Sequence, residues 1–135
     1  MDEETQLVAQ LTLINDIASQ VAARLDVSVL LQRAVYLIGE TFDCHHVAIF
    51  LVEGKMLNLK AIAGAYSAYI SPDYAQPLSE GIIGWVISHG EKMIVQDVEV
   101  EPRYTPLTTK YPITRSELCV PVTIADHILG GIDLQ

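Results

Sequence analysis

The decapeptide GIIGWVISHG, Gly81–Gly90, has a glycine at each end, a third at Gly84, and apolar residues at most other positions. At helical period Ile82, Ile83, Val86 and Ile87 form one apolar stripe, and Trp85, the only tryptophan, lies one step off it. The pattern predicts a short helix over 81–89 lying on a sheet, with Gly90 as its C-cap. Gly84 costs a helix interior about 1 kcal/mol relative to Ala, which predicts a close approach at that position. The free N–H groups at the start of such a helix point toward whatever lies beneath it.

Downstream, Lys92–Asp97 reads as a strand and Glu99–Arg115 as a long loop with Pro102, Pro106 and Pro112. Ser116–Ile124 is a strand, Ala125-Asp126 turns the chain, and His127–Gln135 returns as the last strand. Upstream, Val47–Val52 and Met56–Ala63 form a hairpin through Glu53-Gly54. Gly64–Glu80, with Tyr66, Tyr69, Tyr74, Pro72 and Pro77, is irregular and longer than a plain connection needs. Residues 29–41 carry a wide apolar helical face, and Asp26-Val27-Ser28 separates them from a first helix over 3–25. In that first helix Leu7, Leu11, Ile14, Ala18, Val21 and Leu25 recur at alternating spacings of four and three. This 3.5-residue period is that of a coiled-coil seam, and it predicts a homodimer contact. The element order predicts an α+β fold, an antiparallel sheet with helices segregated to a face.

The bulk properties fit one domain with one core: 135 residues, 50% of them hydrophobic and 19% charged. A net charge of −9, with the eight Lys and Arg scattered, excludes a nucleic-acid or anionic-membrane surface. No apolar run approaches the ~20 residues of a membrane span, and the acidic start MDEETQ is not a signal peptide. Cys44 and Cys119 form no CxxC, which points to a reduced, cytoplasmic compartment.

Strand alternation divides the last two strands into faces. Leu118, Val120 and Val122 join Ile132 and Leu134 as the expected core. Glu117 and Cys119 share the opposite face with Gly131, Asp133 and Gln135. A buried, unpaired acid costs several kcal/mol, so Glu117 and Asp133 require partners. These are either a ligand amine or polar head group, or an internal pair with Arg103, Arg115 or backbone N–H groups. His45 and His46 point to opposite faces of a strand, read as ordinary strand-edge histidines and make no metal site.

Several stretches then line up in order: CHHVAIFLVEG at 44–54, GIIGWVISHGEKMIVQDV at 81–98, Pro102-Arg103-Tyr104, SELCVPV at 116–122 and HILGGIDLQ at 127–135. Together they resemble the GAF domain, a small-molecule-sensing module found in multidomain bacterial sensor kinases, phosphatases and cyclases. The resemblance implies a PAS-related central antiparallel sheet, with the N-terminal helices on one face and a ligand pocket on the other. It places the 81–89 helix as roof of that pocket and implies Ile83, Trp85, Tyr104, Glu117, Cys119 and Asp133 as ligand-binding residues. It divides the chain into a signalling and dimerisation helix, 1–25, and a GAF domain, 26–135, without the C-terminal helix that usually follows. The implied function is a cytoplasmic, homodimeric regulatory sensor that passes a signal to an output domain in the same full-length chain. The alternative is an interaction scaffold whose pocket is filled by its own Tyr and Trp side chains.

Free-methionine-(R)-sulfoxide reductases are also GAF domains, and Glu117 and Asp133 match two of their acidic substrate positions. Their thiols lie in the loop before SELCVPV and at the glycine-rich helix, where this sequence has no cysteine, so the expectation is of no enzyme activity. No resident cofactor is implied. Haem-binding relatives use a histidine in the region occupied here by KYPITR, 110–115, where Tyr111 keeps that option open.

Overall fold

The computed structural model describes residues 2–106, 108 and 114–135, the side chain of Leu25 excepted. Tyr111 and the Leu25 side chain therefore lie outside the described residues. The chain divides into two compact units, residues 1–30 and 31–135.

One helix, α1, runs Glu3–Phe42. The break expected at Asp26-Val27-Ser28 does not occur. Asp, Val and Ser each lower helix propensity by less than about 0.7 kcal/mol, and neither Gly nor Pro is present to stop propagation. Asp2 caps the start, accepting the Thr5 N–H at 2.7 Å. Within residues 2–30 the described seam positions Leu7, Leu11, Ile14, Ala18 and Val21 are all exposed.

In the second unit the sheet has six strands in the order β3-β2-β1-β6-β5-β4. They are β1 (His46–Glu53), β2 (Met56–Gly64), β3 (Ala75–Pro77), β4 (Met93–Val95), β5 (Glu117–Ile124) and β6 (His127–Leu134). All pairings are antiparallel. β3 falls inside the stretch expected to be irregular, and pairs with Met56–Asn58. Residues 31–42 of α1 cover one face. Val35 is fully buried there, with Leu31, Ala34 and Ile38 beside it, against Val47, Ile49, Ala61, Ala63 and Leu134. The Gln32 amide donates to the Ile62 carbonyl at 2.9 Å.

The helix α2 (Gly81–His89) covers the other face, where Ile82, Ile83, Val86 and Ile87 are buried among Ala48, Phe50, Leu57, Met93 and Cys119. Gly90 is left-handed at φ 67°, and its N–H donates to the Val86 carbonyl at 2.8 Å. The close approach at Gly84 is to the incoming chain: an added Cβ would lie 2.5 Å from the Leu78 carbonyl oxygen. The sheet makes room for α2 at Gly131, where a Cβ would come within 2.6 Å of Ile83 Cδ1. The α2 face is also the better buried. Glu117 and Cys119 are buried; of the residues expected as core, Leu134 is buried with Leu118 and Ile132 packed against it, whereas Val120 and Val122 are only half-buried. This α+β arrangement agrees with the predicted fold class. Among the described residues no helix is long and apolar enough to cross a membrane.

Candidate functional site

The α2-facing side chains of β1, β6 and β5 form two adjacent rows. In one, Ala48, Asp133 and Cys119 are register partners. In the next, His46 and Gln135 exchange backbone hydrogen bonds, His46 N–H to Gln135 at 3.2 Å and Gln135 N–H to His46 at 2.9 Å. Glu117 lies beside them, opposite Val95 of β4. The apolar sheet thus ends in a polar cluster, and its members His46, Thr114, Glu117, Asp133 and Gln135 are all buried.

A directed chain of hydrogen bonds runs through this cluster. Thr114 Oγ1 gives its proton to Gln135 Oε1 in a very short bond. Its single proton being spent, it must accept from the Tyr66 hydroxyl, 2.6 Å away. Gln135 Nε2 then donates to Asp133 Oδ2 at 2.7 Å. His45 Nε2 also approaches Thr114 Oγ1, at 3.3 Å. The relay ends on one oxygen of Asp133. Among the described residues the other, Oδ1, has no hydrogen-bond partner, and neither does either ring nitrogen of His46. His46 Nε2 stands 3.9 Å from Asp133 Oδ2, beyond hydrogen-bonding range. Its ring leans on Tyr66, with centroids 4.8 Å apart.

Burial governs the electrostatics. It lifts the Glu117 carboxyl far above the carboxylate range, with the Asp133 charge adding to the effect. It lifts Asp133 to about 6, against the opposing hydrogen bond from Gln135. It lowers His46 to about 4, helped by His45. The Cys119 thiol is pushed up by burial and then by the two acids, which disfavours a reactive thiolate. The internal pairing with arginine does not form. Arg103 binds Glu101 through Nε at 2.7 Å and a second nitrogen at 2.8 Å, and its guanidinium lies 4.9 Å from the Trp85 ring centre. Arg115 is exposed. Among the described residues no Lys or Arg forms an ion pair with Glu117 or Asp133.

The expected site residues separate into two groups. Glu117, Cys119 and Asp133 converge, and Tyr104, half-buried, interacts with Thr114 and with both acids. Ile83 instead closes against Gly131. Trp85 sits away from the cluster, stacked on His89 at 4.2 Å and under Arg103. A polar cavity of about 400 Å³ opens at Gln96, Asp97, Glu99, Thr114 and Arg115, reaching the relay at Thr114. None of its lining residues comes from α2, the expected roof. The contribution of His46, Thr114 and Tyr66 was missed. For His46 the signal existed, since β1 alternation puts it in phase with the buried Ala48 and Phe50. Thr114 and Tyr66 come from irregular segments with no period to read.

The fold and this cluster define a small α+β domain with a polar site enclosed at one end of its sheet. The GAF domain family profile matches residues 26–135, and the chain belongs to that family. GAF domains are in general regulatory modules that bind small molecules, often within multidomain proteins. The chain is 26% identical over 133 residues to the dual 3',5'-cyclic-AMP and -GMP phosphodiesterase 11A of Takifugu rubripes, aligning 90% of this chain with 14% of that protein. Among solved structures it is similar to the GAF domain of a phosphoenolpyruvate-protein phosphotransferase from Coxiella burnetii, at 21% identity and TM-score 0.73, covering 93% of this chain and 76% of that one. It is also similar to a type II free methionine-R-sulfoxide reductase from Thermoplasma acidophilum, at 22% identity and TM-score 0.72, covering 82% of this chain and 74% of that one. Reductases recur among these neighbours. They overturn the expectation of no enzyme activity, because this fold is one that carries catalysis, and missing cysteines at two expected positions do not exclude it.

Proposed function

We propose that this chain is a sensor domain that binds a small polar molecule at the Glu117–Asp133–His46 cluster and reports the binding through α1. The observation that carries the reading is the burial of two carboxyl groups beside a histidine with no partner for either nitrogen. Unsatisfied buried polar atoms cost about 1–3 kcal/mol each, and a bound ligand offsets that cost. Glu117, Asp133 and Cys119 line the bound molecule, Tyr104 borders it, and Ile83 and Trp85 hold the adjoining helix and loop. The ligand enters by way of Thr114. The 3.5-residue seam of Leu7–Leu25, exposed at its described positions, pairs with a second copy in a homodimer, and ligand occupancy biases that pairing toward an output domain in the full-length protein. The reduced cysteines and acidic surface suit a cytoplasmic location.

Thermal-shift screening against nucleotides, amino acids and small acids tests the binding reading. A hit that disappears in Glu117→Ala supports it, and a blank screen defeats it. A second reading has its own observation. Tyr66 packs on both neighbouring histidines and bonds Thr114, so the site is filled by the protein itself and the domain is an interaction scaffold. A blank screen favours this reading.

A further inference from the structure

The proposed function leaves the chemistry of the ligand open, and the unpartnered atoms narrow it. On the α2 side the groups facing Glu117 and Asp133 are His46 from β1, Cys119 from β5, and Gln135 beyond the end of β6. Tyr66 comes from the 3-10 turn Ala65–Ala68, and Tyr104 and Thr114 from the segment before β5. β4 and α2 present only apolar side chains there, Met93 and Val95, Ile83 and Ile87. Among the described residues the cluster therefore holds two acids, a histidine and no fixed cation. Its orphans are Asp133 Oδ1 and both nitrogens of His46. A neutral imidazole has one lone pair and one N–H, so the cluster offers more acceptors than donors.

The 3.9 Å between His46 Nε2 and Asp133 Oδ2 adds a geometric constraint. An atom hydrogen-bonded to both at about 2.9 Å sees them at roughly a right angle. That is nearer the spread of N–H bonds on a tetrahedral nitrogen than the wider angle of a planar guanidinium or amide.

Building on the sensor reading, we propose that the ligand presents a primary ammonium group to this cluster, with His46 and Asp133 as its acceptors, and that the ammonium displaces one proton from the adjacent buried carboxyls of Glu117 and Asp133. The charge balances: a cation enters and one proton leaves, so the buried cluster keeps the same net charge. His46 is then a ligand-contacting residue. The ligand's affinity rises tenfold per pH unit wherever the free protein holds that proton and the complex does not.

Isothermal titration with ethanolamine and with tetramethylammonium as probes, at pH 6.5, 7.5 and 8.5, tests this. Ethanolamine should bind with about tenfold gain per pH unit. Its heat in buffers of different ionisation enthalpy should report one proton released. Tetramethylammonium, a cation without N–H donors, should not bind. His46→Phe should weaken ethanolamine about tenfold or more. His46→Gln, which keeps an acceptor and is less disruptive to folding, should retain most of the affinity. Failure of ethanolamine to bind, binding without proton release, equal binding of both cations, or unchanged affinity in a folded His46→Phe protein would each overturn the ammonium assignment. The sensor reading is judged separately, since a neutral or anionic hit lost in Glu117→Ala would uphold it while the ammonium assignment fails.

Discussion

Replacing Glu117 by Gln should remove a pH dependence of stability that the wild-type protein shows just above neutrality. The folded protein holds this carboxyl's proton up to about 10, whereas the ordinary value is 4.5. Between those limits the folded state binds one proton more than the unfolded state, so stability falls as pH rises, by about 1.4 kcal/mol per unit. Asp133 is raised too and acts in the same direction, but only up to about 6. His46 acts in the opposite direction: lowered to about 4, it contributes stability above 6.5 that is lost as the pH falls. Cys119, raised from 9.0, enters only in more alkaline solution. The window from pH 7 to 8.5 therefore belongs to Glu117, and one proton across it amounts to about 2 kcal/mol. Urea denaturation at several pH values in that window should show the wild-type midpoint dropping with no change of slope, and the Glu117→Gln midpoint holding constant. A flat wild-type profile would refute the burial argument, as would a slope that survives in Glu117→Gln.

Other substitutions probe the fold and the proposed assembly. Gly84→Ala gains about 1 kcal/mol of helix propensity, yet its methyl meets the fixed Leu78 carbonyl at 2.5 Å. Overpacking of about 1–3 kcal/mol should prevail, and a raised urea midpoint would show that the glycine has no packing role. Thr114→Val cuts the relay between Tyr66 and Gln135 and should cost about 1–3 kcal/mol in the same assay; an unchanged midpoint would mean that other groups satisfy both partners. Sedimentation at high micromolar concentration should show a wild-type dimer and an Ile14→Asp monomer. A monomeric wild-type chain would end the seam proposal.

The parts of this fold that were legible in the sequence are those whose signals are local. The helix Gly81–His89, its cap at Gly90 and the turns at Glu53-Gly54 and Ala125-Asp126 were read from neighbouring residues alone. The helical break at Asp26–Ser28 was misread because weak propensities there meet strong helical flanks on both sides. β3 escaped notice because it exists only through pairing with Met56–Asn58, a contact that three residues cannot announce. Alternation correctly put Glu117, Cys119 and Asp133 on one face. The expected core face is indeed packed, with Leu134 buried and Leu118 and Ile132 against it, but the second core under α2 went unread because apolarity was weighed and coverage by α2 was not. His46 was read with His45 as a strand-edge pair, although its alternation phase with Ala48 and Phe50 already pointed inward.

The chain enters β1 at His46 and leaves β6 just before Gln135, and these two residues are hydrogen-bonded neighbours. A load that pulls His46 and Gln135 apart therefore acts in a zipper geometry. It opens the β1–β6 ladder one rung at a time from that end, instead of shearing all rungs together. The first rung to open is the one that carries His46, next to Asp133. The domain is consequently soft to tension applied at these two residues, and a molecule held by His46 and Asp133 would stiffen it at the point where tearing starts.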